Sequence, residues 1–205
     1  MKLVIFVRHG ESVGNATNTL SSDVKSSSLT ETGIAQAQRA ADKLSHLPRM
    51  DRLFASPVQR AWQTGEIISK QVALEEVRDD LLWERGLGEL NNKHFESARE
   101  VNEAILGEIR SGYAHGLESW DALKSRMWKF TTGVPEGITI AVSHRDPIAS
   151  VLAELDPQYD DDLISGEQLK IPPASFTLID VGSRSIIAIG RDSLSEQDFD
   201  IVPSQ

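Results

Sequence analysis

Residues 3–12 read Leu3-Val4-Ile5-Phe6-Val7-Arg8-His9-Gly10-Glu11-Ser12. The first five are apolar without interruption, and Val4, Ile5 and Val7 are β-branched. That is the pattern of a strand buried on both faces of a sheet. Ile138 to Ser143 reads as a second buried strand, and Arg52 to Ala55 as a short one. Helical patterns alternate with them. Thr30 opens one that runs to about His46, with Ala37, Ala40, Ala41 and Leu44 on one face and Pro48 closing it. Ser56 is the expected N-cap, and Pro57 the first turn, of a helix reaching about Gln71. Two more helices are expected at roughly Glu96–Arg110 and Leu117–Phe130. Asp146-Pro147 is expected to cap another that ends near Leu155. Residues 10–29 read as a long polar loop, Val72 to Val77 as a strand, and Ala174 to Val181 with Ser185 to Ile189 as a hairpin. Strands alternating with helices predict an α/β fold: a three-layer α/β/α sandwich around a mostly parallel sheet. The chain reads as a single domain over 1–205, with 94–132 as a helical insertion packed on it.

Composition narrows the function. The 205 residues contain no Cys, which excludes disulfide scaffolds, thiolate metal sites and a cysteine nucleophile. Lys and Arg number 21 against 31 Asp and Glu, a net charge of −10 that includes the acidic run 160–162. Such a surface repels nucleic acid and anionic membranes, so an anionic ligand must be drawn by a local cluster of cations. The apolar run before Arg8 is too short for a signal peptide, and nothing approaches a membrane span. The expectation is a soluble cytoplasmic protein with no nucleic-acid or membrane partner. Its oligomeric state is not legible.

Four clusters carry chemistry. Arg8-His9-Gly10-Glu11 follows the first strand, where open α/β sheets bind ligands. Arg offers a planar fork that suits phosphate oxygens, and a neutral imidazole offers a lone pair. Ser143-His144-Arg145-Asp146-Pro147 repeats the context at a strand-to-helix junction, and a helix N-terminus adds free amides for an anion. Arg60 lies at the start of the helix after Ser56-Pro57. Glu84 sits in Leu82-Trp83-Glu84-Arg85-Gly86, an apolar setting that can keep a carboxyl protonated for use as a general acid. Trp62 and Trp83 are expected near the pocket rim, and Trp120 and Trp128 in packing. His46, His94 and His115 lack metal-ligand spacing. Arg99, Arg110, Lys124, Arg126 and Lys129 are interleaved with acids and read as solvated helix faces.

Together these residues resemble the histidine phosphatase superfamily, which includes the cofactor-dependent phosphoglycerate mutases. Arg8-His9-Gly10-Glu11-Ser12 with Asn15 is similar to the signature after its first strand. Leu29-Thr30 with Gly33 and Gln36-Ala37, then Ser56-Pro57 with Arg60-Ala61 and Thr64, are similar to its first two helices. Glu84 with Gly88 resembles its acid segment, and Ser143-His144 its second histidine. The resemblance implies that His9 is a nucleophile forming phosphohistidine. Arg8, Arg60 and His144 would hold the phosphoryl group with help from Asn15, and Glu84 would protonate the leaving oxygen. It implies no metal, since two arginines and a histidine fill that role, and no cofactor for hydrolysis. Arg145 departs from the family's glycine; it either extends the anion pocket or pairs with Asp146. The expected activity is hydrolysis of a small phosphorylated metabolite. The alternatives are a 2,3-bisphosphoglycerate-dependent mutase, suggested by the form Trp83-Glu84-Arg85, a non-catalytic phospho-ligand binding module, and a metal-dependent hydrolase.

Overall fold

The computed structural model describes residues 1–25, 27–47, 50–113, 116–160 and 169–199; Pro48, His115, Asp161, Asp162 and the C-terminal residues 200–205 lie outside them. One sheet contains β1 (Lys2–Arg8), β2 (Arg52–Ala55), β3 (Glu76–Arg78), β4 (Gly137–Ser143), β5 (Phe176–Asp180) and β6 (Ser185–Arg191). Their spatial order is β3-β2-β4-β1-β5-β6. The first four are parallel, while β5 and β6 form an antiparallel hairpin on the far side of β1. The helices are α1 (Val13–Ala16), α2 (Glu31–Ser45), α3 (Gln59–Val72), α4 (Ala98–Arg110), α5 (Trp120–Gly133) and α6 (Arg145–Leu155). Among the described residues no helix is long and apolar enough to cross a membrane.

The period of two along β1 builds the three layers. Leu3 to Val7 are fully buried. Val4 and Phe6 face Met127 and Phe130 of α5 and Ile148 and Leu152 of α6. Leu3, Ile5 and Val7 face Ala40, Ala41 and Leu44 of α2 and Ala61 and Ile68 of α3. The strand therefore has no polar position because both of its faces are core. The helices that follow the neighbouring strands β1 and β4 lie on opposite faces, which opens a crevice at their carboxyl ends. Arg8 pairs with Ser143 in the parallel register, and the His9 amide donates to the Ser143 carbonyl at 3.0 Å. His9 and His144 thus leave the sheet side by side.

Several local expectations change. The loop 10–29 contains α1, capped by Ser12 and Asn15 in a reciprocal pair of hydrogen bonds. Ser56 is not the N-cap of α3: Val58 is, without a side-chain bond, and the Ser56 hydroxyl goes instead to His144. His144, not Asp146, is the N-cap of α6. The strand expected at 72–77 shrinks to Glu76–Arg78, because α3 runs on to Val72 and Ala73 ends it in the left-handed region at φ 56°. The stretch 94–132 divides in two. Trp120, Leu123, Met127 and Phe130 place α5 in the core layer beside α6. On α4, Ala104, Ile105 and Ile109 cover a satellite cluster of Leu87, Leu90 and Leu117.

The loop after β1 is zipped onto α2. Thr30 caps α2 through the Gly33 amide and donates its hydroxyl to a Glu11 carboxylate oxygen at 2.7 Å. The Glu11 amide donates to Gln36 at 2.7 Å. Backbones meet so closely that a Cβ on Gly33 would strike the Glu11 carbonyl, and one on Gly10 the Gly33 carbonyl. Gly33→Ala should therefore cost about 1–3 kcal/mol in denaturant unfolding, as overpacking does. Gly107→Ala, mid-helix in α4 with nothing near the added methyl, should raise stability by about 1 kcal/mol. Equal effects at the two positions would contradict this account of the loop.

Candidate active site

His9 and His144 meet edge to face with ring centroids 5.0 Å apart, and both are buried. The Arg60 Nε–H donates to His9 Nε2 at 3.0 Å. A guanidinium can only donate, so Nε2 carries the lone pair and Nδ1 the hydrogen. Nδ1 in turn donates to the Gly10 carbonyl at 2.6 Å. Burial, then the charges of Arg60 and Arg8, push the His9 pKa well below its ordinary value. The imidazole is therefore neutral with one defined lone pair. His144 is also held neutral, by burial first and Arg60 second. Its Nε2 bonds the Ser56 hydroxyl at 2.9 Å, and its Nδ1 lies 3.4 Å from Glu84 Oε2.

Glu84 lies between the two cationic arms of the site. Arg60 Nη2 donates to its Oε2 at 3.2 Å and to the Ser21 carbonyl at 2.9 Å. Burial raises the Glu84 pKa, Arg60 pulls it down, and Asp146 pushes it up again; the net shift is upward. Arg8 anchors its Nη1 on the Ile171 carbonyl at 2.7 Å. Burial lowers its pKa to about 10, so it stays charged at neutral pH. Arg145 donates Nη1 to Asp146 at 2.9 Å. Among the described residues Arg8 Nε, Arg60 Nη1 and Arg145 Nη2 are buried with no hydrogen-bond partner. All three arginines and Glu84 line one cavity of about 400 Å³. Buried donors without partners are rare in folded proteins, and three guanidiniums with spare donors on one cavity wall describe a seat for an oxyanion.

Asn15 lines the cavity wall, with its carboxamide oxygen committed to Ser12. What it can still offer an anion is its NH2. His9, Glu84 and His144 also present three ligand atoms within 4.8 Å of one another. That is a ligand set by count, but Arg60 already occupies His9 Nε2 and the three guanidinium charges oppose a cation. The same charges favour an anion.

Two expected neighbours lie elsewhere. Trp62 stacks under Arg78, and the Trp83 indole donates to the Ser22 carbonyl at 2.5 Å; neither lines the cavity. Arg126, read from sequence as solvated, grips the acid segment. Its Nη1 donates to the carbonyls of Leu81 and Trp83 at 2.8 and 3.0 Å, and its Nη2 to that of Glu84 at 3.4 Å. Its other face is bidentate on Glu118, whose carboxylate also accepts the Gly86 amide at 3.0 Å. Burial opposes ionisation of Glu118, yet these hydrogen bonds hold its pKa below the ordinary value. Arg85 is 1% exposed, stacked on Trp120 at 3.7 Å, with Nη1 3.9 Å from Asp146. No local pattern marks the grip of Arg126 on the acid segment, because the carbonyls it holds lie more than 40 residues away in the chain.

A mostly parallel sheet with two histidines, three arginines and an acid gathered at its crevice is an arrangement suited to an oxyanion. The family model of the histidine phosphatase superfamily (branch 1) matches residues 4–188, and the chain belongs to that superfamily. It is 33% identical, over 96% of both chains, to the 2,3-bisphosphoglycerate-dependent phosphoglycerate mutase of Thermoplasma acidophilum. Among solved structures it resembles Bacillus stearothermophilus YhfR, with a TM-score of 0.79, 21% identity, and 96% and 99% of the two chains covered. It also resembles the alpha-ribazole phosphatase from Shigella flexneri, with a TM-score of 0.74, 19% identity, and 94% and 98% covered. Membership in this superfamily indicates an enzyme.

The His9 tautomer is directly measurable. Its ¹⁵N shifts should report protonated Nδ1 and unprotonated Nε2 from acidic to alkaline pH. Removing the Arg60 charge should raise the His9 pKa, because that charge opposes the imidazolium, while burial keeps it below the ordinary value. An unchanged titration in Arg60→Ala would contradict the electrostatic part of this description.

Proposed function

We propose that the protein hydrolyses small phosphate monoesters through a phosphohistidine on His9, without a metal ion. The observation that carries this reading is the set of unpartnered N–H groups on Arg8, Arg60 and Arg145, which line one cavity, with Arg60 also bonded to the neutral Nε2 of His9. Phosphoryl transfer spreads charge over three equatorial oxygens, and fixed cations aimed at them are its main catalytic device. In the first step Nε2 attacks phosphorus in line and the ester P–O bond breaks. Arg60 exchanges its bond to Nε2 for one to an equatorial oxygen. The Glu84 carboxyl passes its proton to the leaving oxygen. In the second step the Glu84 carboxylate takes a proton from water, the hydroxide attacks phosphorus, and the P–N bond breaks. Phosphate leaves with His9 neutral and Glu84 protonated again.

Hydrolysis is favoured over mutase chemistry by where the remaining cations lie. Arg85, the cation of the mutase-like segment Trp83-Glu84-Arg85, is buried under Trp120 outside the cavity wall. Arg99 pairs with Glu103, Lys124 with Asp160, and Arg126 with Glu118. Beyond the phosphate seat nothing cationic lines the cavity among the described residues. A mutase must hold its phosphorylated acid while the phosphoryl group returns. Two observations support the mutase as the second reading: the free Nη2 of Arg145, and the name of the Thermoplasma acidophilum relative.

His9→Ala should abolish turnover, and chelators should leave the wild-type rate unchanged. Phosphate release should exceed interconversion of 2- and 3-phosphoglycerate in a coupled assay, with or without 2,3-bisphosphoglycerate; the reverse would establish the mutase. Glu84 must be protonated for the first step, so kcat/KM should fall as pH rises through its raised pKa. Glu84→Gln should remove that limb and lower kcat/KM for alkyl phosphates by ~10²–10⁴-fold, and for aryl phosphates much less, since their leaving groups need no proton in the first step.

Arg126→Gln should act through Glu84 as a positioning change. Alkyl phosphates should lose on the order of 10–100-fold, with aryl phosphates again less affected. The double variant Glu84→Gln/Arg126→Gln should be no worse than Glu84→Gln alone, because residues serving one function do not add. Additive losses on both ester classes would make Arg126 merely structural.

A further inference from the structure

The cavity lining also has an apolar part. Leu20, Leu87, Val101 and Ile105 make up this apolar wall, and Asn102 and the hydroxyl residues Ser12, Thr19, Ser21 and Ser27 share the lining. Val101 and Ile105 are one helical turn apart on α4, and Asn102 is adjacent, so one stripe of the helix presents all three. The guanidiniums of Arg60 and Arg145 and the Glu84 carboxyl lie within electrostatic reach of Arg8. The ionisable neighbours of the stripe on α4 are Glu100 and Glu103, and Arg99 is paired with Glu103 at 3.7 Å. A carboxylate or second phosphate placed against this wall would lose its hydration without gaining a cation. A cavity of about 400 Å³ is in the size range of small-molecule sites. It has room for a leaving group well beyond the phosphoryl unit.

Resting on the hydrolytic reading above, we infer that the substrate is a monophosphate ester of an uncharged alcohol. That alcohol has an apolar face for Val101 and Ile105 and a polar group for Asn102. Esters carrying a second anionic group are poor substrates. Ile105 also packs into the satellite cluster under α4, whereas Val101 is not part of it. Val101 is therefore the position at which the wall can be changed while the helix stays seated.

The experiment compares kcat/KM for phosphate release from 2-phenylethyl phosphate, glycerol 3-phosphate and 3-phosphoglycerate. Wild type should prefer 2-phenylethyl phosphate over 3-phosphoglycerate by about tenfold or more, with glycerol 3-phosphate between them. Val101→Lys should shrink or reverse that ratio, and Asn102→Ala should reduce the use of glycerol 3-phosphate relative to 2-phenylethyl phosphate. Equal use of the esters by wild type, or a ratio unmoved in Val101→Lys, overturns the inference and leaves hydrolysis standing. If none of the esters releases phosphate, the hydrolytic reading falls. Calorimetric titration of the same esters into His9→Ala then decides the wall: tighter binding of 2-phenylethyl phosphate supports it, and equal affinities overturn it.

Discussion

The parallel pairing of β1 with β4, in register from Lys2↔Gly137 to Arg8↔Ser143, is the constraint on which the site depends. It joins segments more than 130 residues apart and sets two strand ends level. Both ends continue as His, and the helices behind them fall on opposite faces of the sheet. The crevice is therefore a product of topology, and the histidines face each other because their strands are paired. A slip of register by one residue would turn the alternating side chains of β1 to the wrong layers, so the core itself enforces the geometry of the site.

Electrostatics then divides the labour. In a chain of net charge −10, arginines are kept at the crevice by backbone carbonyls: Ile171 for Arg8 and Ser21 for Arg60. These anchors fix the guanidiniums without neutralising them. Glu84 and Asp146 balance the cluster only in part, and burial biases Glu84 toward its protonated form. The histidines are neutral for the opposite reason, because both burial and the neighbouring cations disfavour imidazolium. One cluster of cations thus leaves a lone pair on one side chain while burial keeps a proton on another.

The sequence made the two buried strands legible because Leu3–Val7 and Ile138–Val142 have almost no polar position. Arg8, His9, Arg60 and His144 were legible because each stands at a strand end or helix start. The missed features all depend on distant partners. Ser56-Pro57 looks like an ordinary N-cap, but a residue 88 positions away takes the hydroxyl. Trp83 beside an acid suggests a pocket rim, yet its indole turns to Ser22. Arg126 among the charges of α5 resembles a solvated position, and only the folded chain brings three carbonyls and a carboxylate around it. Local pattern reports which elements form; it cannot report which neighbour a long polar side chain will meet.

The grip of Arg126 and the stacking of Arg85 on Trp120 bear on how this scaffold can be altered. Both fasten the acid segment to α5, a helix that follows it in the chain by some 40 residues. The segment is consequently not a portable cassette. Residues 80–90 grafted from a relative would arrive without the anchors that fix their carbonyls, and residues of this chain moved elsewhere would leave theirs behind. Exchange of acid segments within the superfamily requires the segment and helix to travel together.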